Sequence, residues 1–260
     1  MEQLRAIKTL AMPDSTAKTA AILVIGDEIL SGRTQDTNSN YIARFLGALG
    51  IDLAEIRVVR DIEDEIVAGL NALRARFDMV FTTGGIGPTH DDITADAVAK
   101  AFGVGIGYHP EVFAALEARY PPGEFNEMRR RMARIPHGAG LIKNTVSTAP
   151  GFHIGNVYVM AGVPMVMRAM MESLEPSLPH GVPVKAITVS AQLPEGTVAT
   201  GLMEIQNANK DVSVGSYPFY SDQGPGTQLV TRGRDEQTVD KVARAIEELV
   251  KSFGVTPQRL

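Results

Sequence analysis

Apolar and polar positions alternate in blocks along the first hundred residues. Residues 20–25 form a short apolar run, which is typical of a strand buried on both faces of a sheet. Apolar residues between 42 and 49 follow the i, i+3, i+4, i+7 spacing of an amphipathic helix, and Gly50 marks its end. The alternation repeats, with strands predicted over 53–59 and 79–82 and apolar helix faces over 66–73 and 93–102. This order predicts a parallel sheet with crossover helices.

The rest of the chain divides at a proline-rich segment. Before it, the pattern predicts helices over 109–120, 124–134 and 164–174 and a hairpin over 152–161 that turns at Gly155-Asn156. Residues 176–183 contain three prolines and one glycine and are predicted to be a linker. Beyond the linker, strands and helices follow in the order β-α-β-β-α (184–193, 195–208, 212–220, 227–232, 236–253). We therefore predict a loose tail over 1–18, an α/β domain over 19–176 and a second, smaller α+β domain over 184–256.

The composition narrows the classes of protein. Hydrophobic residues make up 44% and charged residues 21%, as in ordinary soluble globular proteins. The absence of cysteine excludes disulfides, Cys-ligated zinc, iron–sulfur clusters and thiol nucleophiles, and it fits a reducing, cytoplasmic compartment. With a net charge of −5 and no long basic run, nucleic acid is not an expected partner. No apolar stretch is long enough for a membrane span, and the first residues lack the pattern of a signal peptide.

Polar residues follow three of the predicted parallel strands directly. Gly26, Asp27 and Glu28 come after the first strand, Asp61 after the second, and the segment 82–92 after the third. Ligands of open parallel sheets bind outside the carboxyl ends of the strands. We therefore expect the three clusters to converge on one edge of the sheet.

The third cluster is a glycine-rich loop before a predicted helix. Gly84, Gly85 and Gly87 would let main-chain N–H groups approach a ligand closely, and a helix N-terminus beside them would favour an anion. The alternative is an ordinary tight turn followed by an Asp N-cap of the helix. No Gly-Lys-Ser/Thr follows, so the loop is not a Walker P-loop.

The same region is acidic. Residues 82–96 contain Asp91 and Asp92 but no Lys or Arg. Carboxylates repel a phosphate unless a cation lies between them, and a divalent metal that bridges both is the simplest arrangement. Asp27 and Asp61 would complete such a site, although both could instead cap loops at strand ends. The pattern favours phosphoryl or nucleotidyl chemistry.

Three other sequence features are not interpreted as binding sites. The glycines at 103, 105 and 107 do not fit a dinucleotide-binding fingerprint. The run Arg129-Arg130-Arg131 is interpreted as a solvated helix face, with phosphate binding as the alternative. The five histidines are dispersed and show no metal-ligand spacing.

Four segments carry a family resemblance. They are 26–32, 36–38, 83–92 with its Gly-Gly-x-Gly-Pro-Thr-x-Asp-Asp string, and 149–152. The chain resembles the molybdopterin-binding (MoaB/MogA-like) domain, most closely its CinA N-terminal branch, over about residues 20 to 175. The second predicted domain is similar to the small α+β domain that follows in CinA-like proteins and in the amino-terminal half of eukaryotic FAD synthase, with 215–218 as the shared piece.

The resemblance implies a three-layer α/β/α fold and a set of site residues. Asp27, Asp61 and Asp92 match aspartates of the family's site, and we expect them to bind a divalent metal (Mg, Mn or Co) and to be catalytic. The expected ligand or phosphate contacts are Gly26, Glu28, Asn38, Thr82, Thr83, Gly84, Gly85, Gly87, Pro88, Thr89 and Asp91. The chain departs from the CinA pattern at Val166, where a Glu is usual, and at Met132, where a Gln is usual.

Three functions are compatible with these residues. The first is a divalent-metal-dependent pyrophosphatase that cleaves the phosphoanhydride of FAD or ADP-ribose. The second is a protein that binds molybdopterin or molybdenum cofactor without turnover, which the change at Val166 favours. The third is molybdopterin adenylyltransferase. In each case the partner is a small nucleotide or pterin ligand, and the resemblance implies a homo-oligomer.

Overall fold

The computed structural model describes residues 17–260. These residues form two units, and the chain passes from one to the other between Gly181 and Val182. Most of the predicted N-terminal tail, residues 1–16, lies outside the described residues. Lys18 belongs to the first unit, because its ammonium group pairs with Asp78 at 2.7 Å and its carbonyl oxygen accepts a hydrogen bond from the N–H of Asp52.

The strands of the first unit form one large and one small sheet. Within residues 17–181 they are β1 Thr19–Ile25, β2 Asp52–Val59, β3 Met79–Thr83, β4 Ile106–Tyr108, β5 Arg134–Pro136, β6 Gly140–Ile142, β7 Gly151–Ile154 and β8 Val157–Met160. The large sheet has the order β2-β1-β3-β8-β7-β6, while β4 pairs only with β5. Strands β2, β1, β3 and β8 are parallel, whereas β7 is antiparallel to β8 and β6 is antiparallel to β7. The mostly parallel sheet is therefore confirmed.

Helices cover both faces of this sheet. They are α1 Asp27–Leu30, α2 Asn38–Ala48, α3 Glu63–Arg74, α4 Thr94–Phe102, α5 Pro110–Arg119, α6 Glu127–Arg130 and α7 Pro164–Leu174. Successive side chains of β1 point to opposite faces, so Ile22 packs with α2 and α7 while Leu23 packs with α3 and α4. Both are fully buried, and each stabilises the fold by about 1.5–3 kcal/mol. The result is the three-layer α/β/α arrangement.

The prediction of a helix over 124–134 is wrong for most of these residues. Only residues 127–130 form α6, and a short 3-10 turn over 131–133 leads directly into β5. Asn126 caps α6 by accepting a hydrogen bond from the N–H of Arg129 at 3.0 Å. The chain then leaves the helix because pairing with β4 buries Ile135, a tertiary gain that local periodicity does not reveal.

The second unit has an antiparallel sheet of four strands. Its elements are β9 Lys185–Ala191, α8 Glu195–Ala208, β10 Ser213–Ser221, β11 Gly224–Gly233, α9 Glu236–Ser252 and β12 Gln258–Arg259, with sheet order β10-β11-β9-β12. The predicted β-α-β-β-α order is present. The short edge strand β12 was not predicted, because two exposed polar residues carry no strand pattern. Across residues 17–260, no helix combines the length and apolar character needed to cross a bilayer.

Candidate functional site

The three polar clusters meet at one edge of the large sheet. Because β2, β1 and β3 are parallel neighbours, their carboxyl ends lie side by side. The N–H of Gly26 donates to the carbonyl of Val59 at 3.2 Å, and the N–H of Asp27 donates to Oδ2 of Asp61 at 2.9 Å. The clusters after β1 and β2 are therefore joined by direct hydrogen bonds.

The glycine loop after β3 is pressed against the end of β1. Gly84 has a φ of 105°, and a Cβ atom there would lie 2.1 Å from the carbonyl oxygen of Ile25. Gly85 has a φ of 67°, and its Cβ would lie 2.2 Å from Oγ1 of Thr94. Both positions therefore exclude a side chain for steric as well as conformational reasons.

Asp92 is a brace for this loop and not the N-cap of the following helix. Helix α4 begins at Thr94, and its N-cap position is Ile93, so the alternative of an Asp N-cap is wrong. Oδ1 of Asp92 accepts the N–H of Gly87 at 2.7 Å, and Oδ2 accepts the N–H of Thr89 at 2.7 Å and the Thr89 hydroxyl. The carboxylate folds the loop back on itself.

These contacts decide which N–H groups a ligand can reach. The N–H of Gly84 donates to the carbonyl of Met160 at 3.2 Å, and the N–H of Gly87 is held by Asp92. Within residues 17–260, the N–H groups of Gly85 and Ile86 have no acceptor. Of the four N–H groups of residues 84–87, two are thus free for an anion.

Carboxylates and apolar side chains share a cavity of about 490 Å³ in front of the loop, called here the main cavity. Its acidic members are Glu28, Asp61, Asp91 and Asp92. Gly84, Gly85, Ile86 and Gly87 form one wall, and Val163, Val166 and Met170 belong to the apolar part of the lining. Val166 thus adds hydrocarbon to the lining of the main cavity.

A smaller cavity of about 60 Å³ adjoins the main cavity and is called here the side cavity. Asn38 and Thr83 line it, together with Glu28 and Gly84 from the main cavity. The amide of Asn38 donates to the carbonyl of Gly162 at 2.7 Å. Its Oδ1 is buried without a hydrogen-bond partner among the described residues. A buried acceptor without a donor costs folding free energy, so a hydrogen-bond donor of a ligand could bind this oxygen favourably.

The pKa values of two carboxyl groups in the main cavity are shifted in opposite directions. Burial raises the pKa of Asp61, and the negative charges of Glu28, Asp27 and Asp91 add to the rise against the opposing hydrogen bond from the Asp27 N–H. The polar side chain of Thr89, which is close to both Asp91 and Asp92, lowers the pKa of Asp91. A carboxyl with a raised pKa in a cleft is a candidate for proton transfer.

Some of the predicted site residues do not line either cavity. These residues are Gly26, Asp27, Thr82, Pro88 and Thr89. Gly26 has a supporting role, because a Cβ there would lie 2.6 Å from Oε2 of Glu28. Thr82 is fully buried within β3, and its hydroxyl has no partner among the described residues.

The three aspartates expected to hold a metal do not form a ready set of ligands. Within residues 17–260, no three His, Asp or Glu side chains come close enough together to hold a metal ion. Both oxygens of Asp92 already accept hydrogen bonds, and Asp27 does not line the main cavity. Among the described residues no set of three ligands is in place, and metal binding by Asp27, Asp61 and Asp92 stays a prediction.

Two arginines behind the loop make contacts that the sequence did not predict. Arg131 donates from Nη2 to the carbonyl of Asp92 at 3.2 Å, and Arg134 makes two hydrogen bonds, of 2.9 and 2.6 Å, to the carboxylate of Asp96. The interpretation of residues 129–131 as a solvated face was wrong for Arg131, whose Nε is buried. These arginines supply the positive charge that the loop segment lacks. The only available signal was the charge complementarity of the two segments.

The comparison with protein families decides the classification of the chain. The family model described as "Probable molybdopterin binding domain" matches residues 21–180, more than half of the chain. The chain belongs to this family. A second model, described as "FAD synthase, middle domain", matches residues 183–259. Both parts of the resemblance drawn from the sequence are therefore confirmed.

Relatives of the whole chain are found in archaea and animals. A protein of Pyrobaculum calidifontis is 35% identical over 253 residues, which is 90% of this chain and 96% of the relative. A "Probable FAD synthase" of Caenorhabditis elegans is 31% identical over 272 residues and aligns with 94% of this chain. The match covers 51% of that FAD synthase, so this chain spans about half its length.

A solved structure supports the family fold of the first unit. It is described as the protein CinA with unknown function from Thermoplasma acidophilum, and it is 34% identical with a TM-score of 0.59. The alignment covers 62% of this chain and 98% of that protein.

Proposed function

We propose that the main cavity binds the divalent-cation complex of a nucleotide pyrophosphate and that the chain hydrolyses its phosphoanhydride, with FAD or ADP-ribose as substrate. The observation that carries this proposal is the placement of four carboxylates beside the two free N–H groups of Gly85 and Ile86. A bare pyrophosphate would be repelled by such a cavity, whereas its cation complex is attracted.

The cation would enter as part of the substrate. Mg²⁺ is commonly held by one or two protein carboxylates together with substrate phosphates, and it keeps several of its waters. This pattern agrees with a chain that has no set of three ligands of its own. Glu28, Asp61 and Asp91 are the carboxylates that face the cavity without bracing the loop. We assign the direct contact with the cation complex to Glu28 and Asp91, while Asp61 adds negative charge beside it and stays free to accept a proton.

Asp61 is the proposed general base. Its pKa is raised, so its carboxylate accepts a proton more readily than an ordinary aspartate does. In the proposed step, the oxygen of a water attacks phosphorus, the proton of the water moves to Asp61, and the bond from phosphorus to the bridging oxygen breaks. With FAD the products are AMP and FMN, and with ADP-ribose they are AMP and ribose 5-phosphate. The N–H groups of Gly85 and Ile86 would stabilise charge that develops on a phosphate oxygen.

Binding without turnover is the second candidate. Val166 lines the main cavity with hydrocarbon where CinA-like chains usually carry Glu. If that carboxylate is needed for turnover, the family pocket here would hold a molybdopterin-type ligand and release it unchanged. We also propose that the chain forms a homo-oligomer, which light scattering on the purified protein would test.

A turnover assay separates the two candidates. Purified protein is incubated with FAD or ADP-ribose and with Mg²⁺, Mn²⁺ or Co²⁺, and AMP is measured by chromatography. The hydrolase predicts AMP from the wild type and from the surface control Glu111→Gln, and its loss in Asp61→Asn. No AMP from any combination contradicts hydrolysis. Appearance of AMP only in Val166→Glu would assign this chain to binding without turnover.

A further inference from the structure

A third depression continues the site away from the acidic end. It has a volume of about 860 Å³ and is called here the arginine groove, after Arg44 and Arg168 in its lining. The groove and the side cavity share Gln35, Asp36 and Thr37. The side cavity in turn shares Glu28 and Gly84 with the main cavity, so the three form a row of neighbouring depressions.

Charge changes sign along this row of three depressions. The main cavity is lined by four carboxylates and by no Lys or Arg, whereas the arginine groove contains two guanidinium groups. Its one acidic member is Asp36, whose Oδ1 accepts the N–H groups of Asn38 and Ser39 at 3.0 Å each. The row therefore suits a ligand whose two ends differ chemically.

The groove presents a stacked cation and aromatic ring. The guanidinium carbon of Arg168 lies 5.0 Å from the centre of the Tyr41 ring, and the Tyr41 hydroxyl donates to Oε1 of Glu172 at 3.4 Å. Arg44, on the same helix as Tyr41, is exposed and has no hydrogen bond or ion pair within residues 17–260. A flat ring would extend the Arg168–Tyr41 stack, and Arg44 carries only donors, which suit carbonyl oxygens of such a ring.

The side cavity between the two ends supplies an independent sign of a ligand. Asn38 is only 7% exposed, and its Oδ1 has no partner although its amide nitrogen is well bonded to Gly162. The oxygen is an acceptor that needs a donor, and a hydroxyl group of a ligand provides one. A ligand placed between the main cavity and the groove passes this oxygen.

We propose that the arginine groove and Asn38 form a second subsite that binds the flavin half of a dinucleotide. The pyrophosphate end lies in the main cavity, a hydroxyl of the connecting chain donates to Asn38, and the flat ring rests on the Arg168–Tyr41 stack with Arg44 at its carbonyl oxygens. The identity of the pyrophosphate end rests on the proposed function. The subsite selects FAD over ADP-ribose, because ADP-ribose has no flat ring beyond the second phosphate.

Fluorescence titration tests the subsite without turnover. FMN, which lacks the pyrophosphate, and ADP-ribose, which lacks the flavin, are titrated into wild type, Arg44→Gln, Arg168→Gln and the control Arg33→Gln, an exposed arginine outside the groove. FMN is followed by its own fluorescence, and ADP-ribose, in a separate titration, by isothermal titration calorimetry. Each groove variant is expected to weaken FMN roughly threefold to thirtyfold and to leave ADP-ribose unchanged.

Three results would overturn the subsite. They are no FMN binding to the wild type at millimolar concentration, equal FMN affinity in wild type and both groove variants, and a groove variant that changes the oligomeric mass while FMN affinity stays constant. The last result would make this face a subunit contact. If FMN binding depends on Arg44 and Arg168 but FAD is not hydrolysed, the subsite stands and the proposed hydrolysis falls.

Discussion

The main-chain N–H of Asp27 donates a hydrogen bond of 2.9 Å to Oδ2 of Asp61. This bond joins the residue two positions after β1 to the residue two positions after β2, and it fixes one oxygen of a carboxyl that faces the main cavity. Glu28 and Asp91 lie in the same cavity and contribute negative charge to the raised pKa of Asp61. The proposed chemistry depends on this arrangement, and so do the first and last predictions below.

Asp61→Asn separates stability from activity. Because folding raises the pKa of Asp61, the protonated carboxyl stabilises the fold below its ordinary pKa of about 3.9, and that contribution is lost as pH rises through the folded pKa. Asn keeps an oxygen for the Asp27 N–H and has no charge. We expect the variant to melt at the same or a higher temperature than wild type at pH 7, with no gain at pH 3.

Turnover in Asp61→Asn should fall by roughly 100-fold or more, the usual contribution of a general base. Asp222→Asn, at an exposed turn of the second unit, serves as the control and should change neither property. A variant that loses stability at pH 7 and keeps its turnover would show that Asp61 is a structural residue only.

Asp92→Asn tests the loop brace. Asp92 uses two oxygens for the N–H groups of Gly87 and Thr89, whereas Asn has one oxygen and would turn an NH₂ group toward the second donor. We expect a loss of roughly 1–2 kcal/mol in the free energy of unfolding. The matched control is Asp235→Asn, since Asp235 is a true N-cap that accepts from the N–H of Thr238 at 2.9 Å.

Asn caps helices about as well as Asp, so thermal melting of the Asp235 variant should match wild type. Equal, small effects of both substitutions in chemical denaturation would mean that the second oxygen of Asp92 contributes nothing to the loop.

Gly84→Ala should unfold or displace the glycine loop. The new methyl group would lie 2.1 Å from the carbonyl oxygen of Ile25, and the φ of 105° is itself unfavourable for alanine. Gly47→Ala is the control, because it lies inside α2 with nothing within 4 Å of the new Cβ. There the substitution should stabilise by about 0.5–1 kcal/mol. Circular dichroism during urea unfolding measures both, and a Gly84→Ala protein as stable as wild type would contradict the described loop.

Asp78→Asn is expected to lower thermal stability in a pH-dependent way, at a position outside the candidate site. Hydrogen bonds from Lys18 and Thr19 lower the pKa of Asp78 to about 2. Its charged form therefore stabilises the fold above the ordinary pKa, and that contribution disappears as pH falls through about 2. We expect the variant to melt below wild type at pH 7 and the gap to narrow steadily below pH 4. A gap independent of pH would show that the carboxylate charge does not matter.

The elements with strong patterns were predictable from the sequence. The apolar run in β1 and the periodic apolar faces of α2 and α7 are visible in the sequence, and these are the residues that the fold buries. Parallel order then brings the ends of β1, β2 and β3 together, so the position of the site followed from topology. The sequence alone was therefore enough to place residues such as Asp61 and Gly84 on this edge of the sheet.

Details that depend on distant segments were not predictable. Arg131 reaches the loop across 39 positions of sequence, and nothing in its own neighbourhood distinguishes it from Arg129 or Arg130. The brace formed by Asp92 depends on loop geometry that glycine conformations decide. The pairing of β4 with β5 likewise replaced a helix that local pattern favoured. In each case a tertiary contact outweighs the local preference.

The central claim is that the cavity recognises a cation together with a pyrophosphate and binds neither tightly alone. Electron paramagnetic resonance of free Mn²⁺ tests it, with the non-hydrolysable α,β-methylene-ADP as the ligand. The account predicts that protein alone leaves the Mn²⁺ signal nearly unchanged. Protein with the analogue should remove far more Mn²⁺ than the analogue alone, and Asp61→Asn should weaken this effect about tenfold or more. Tight Mn²⁺ binding by the protein alone, or binding of the analogue that is equally strong in a chelator, would contradict the account.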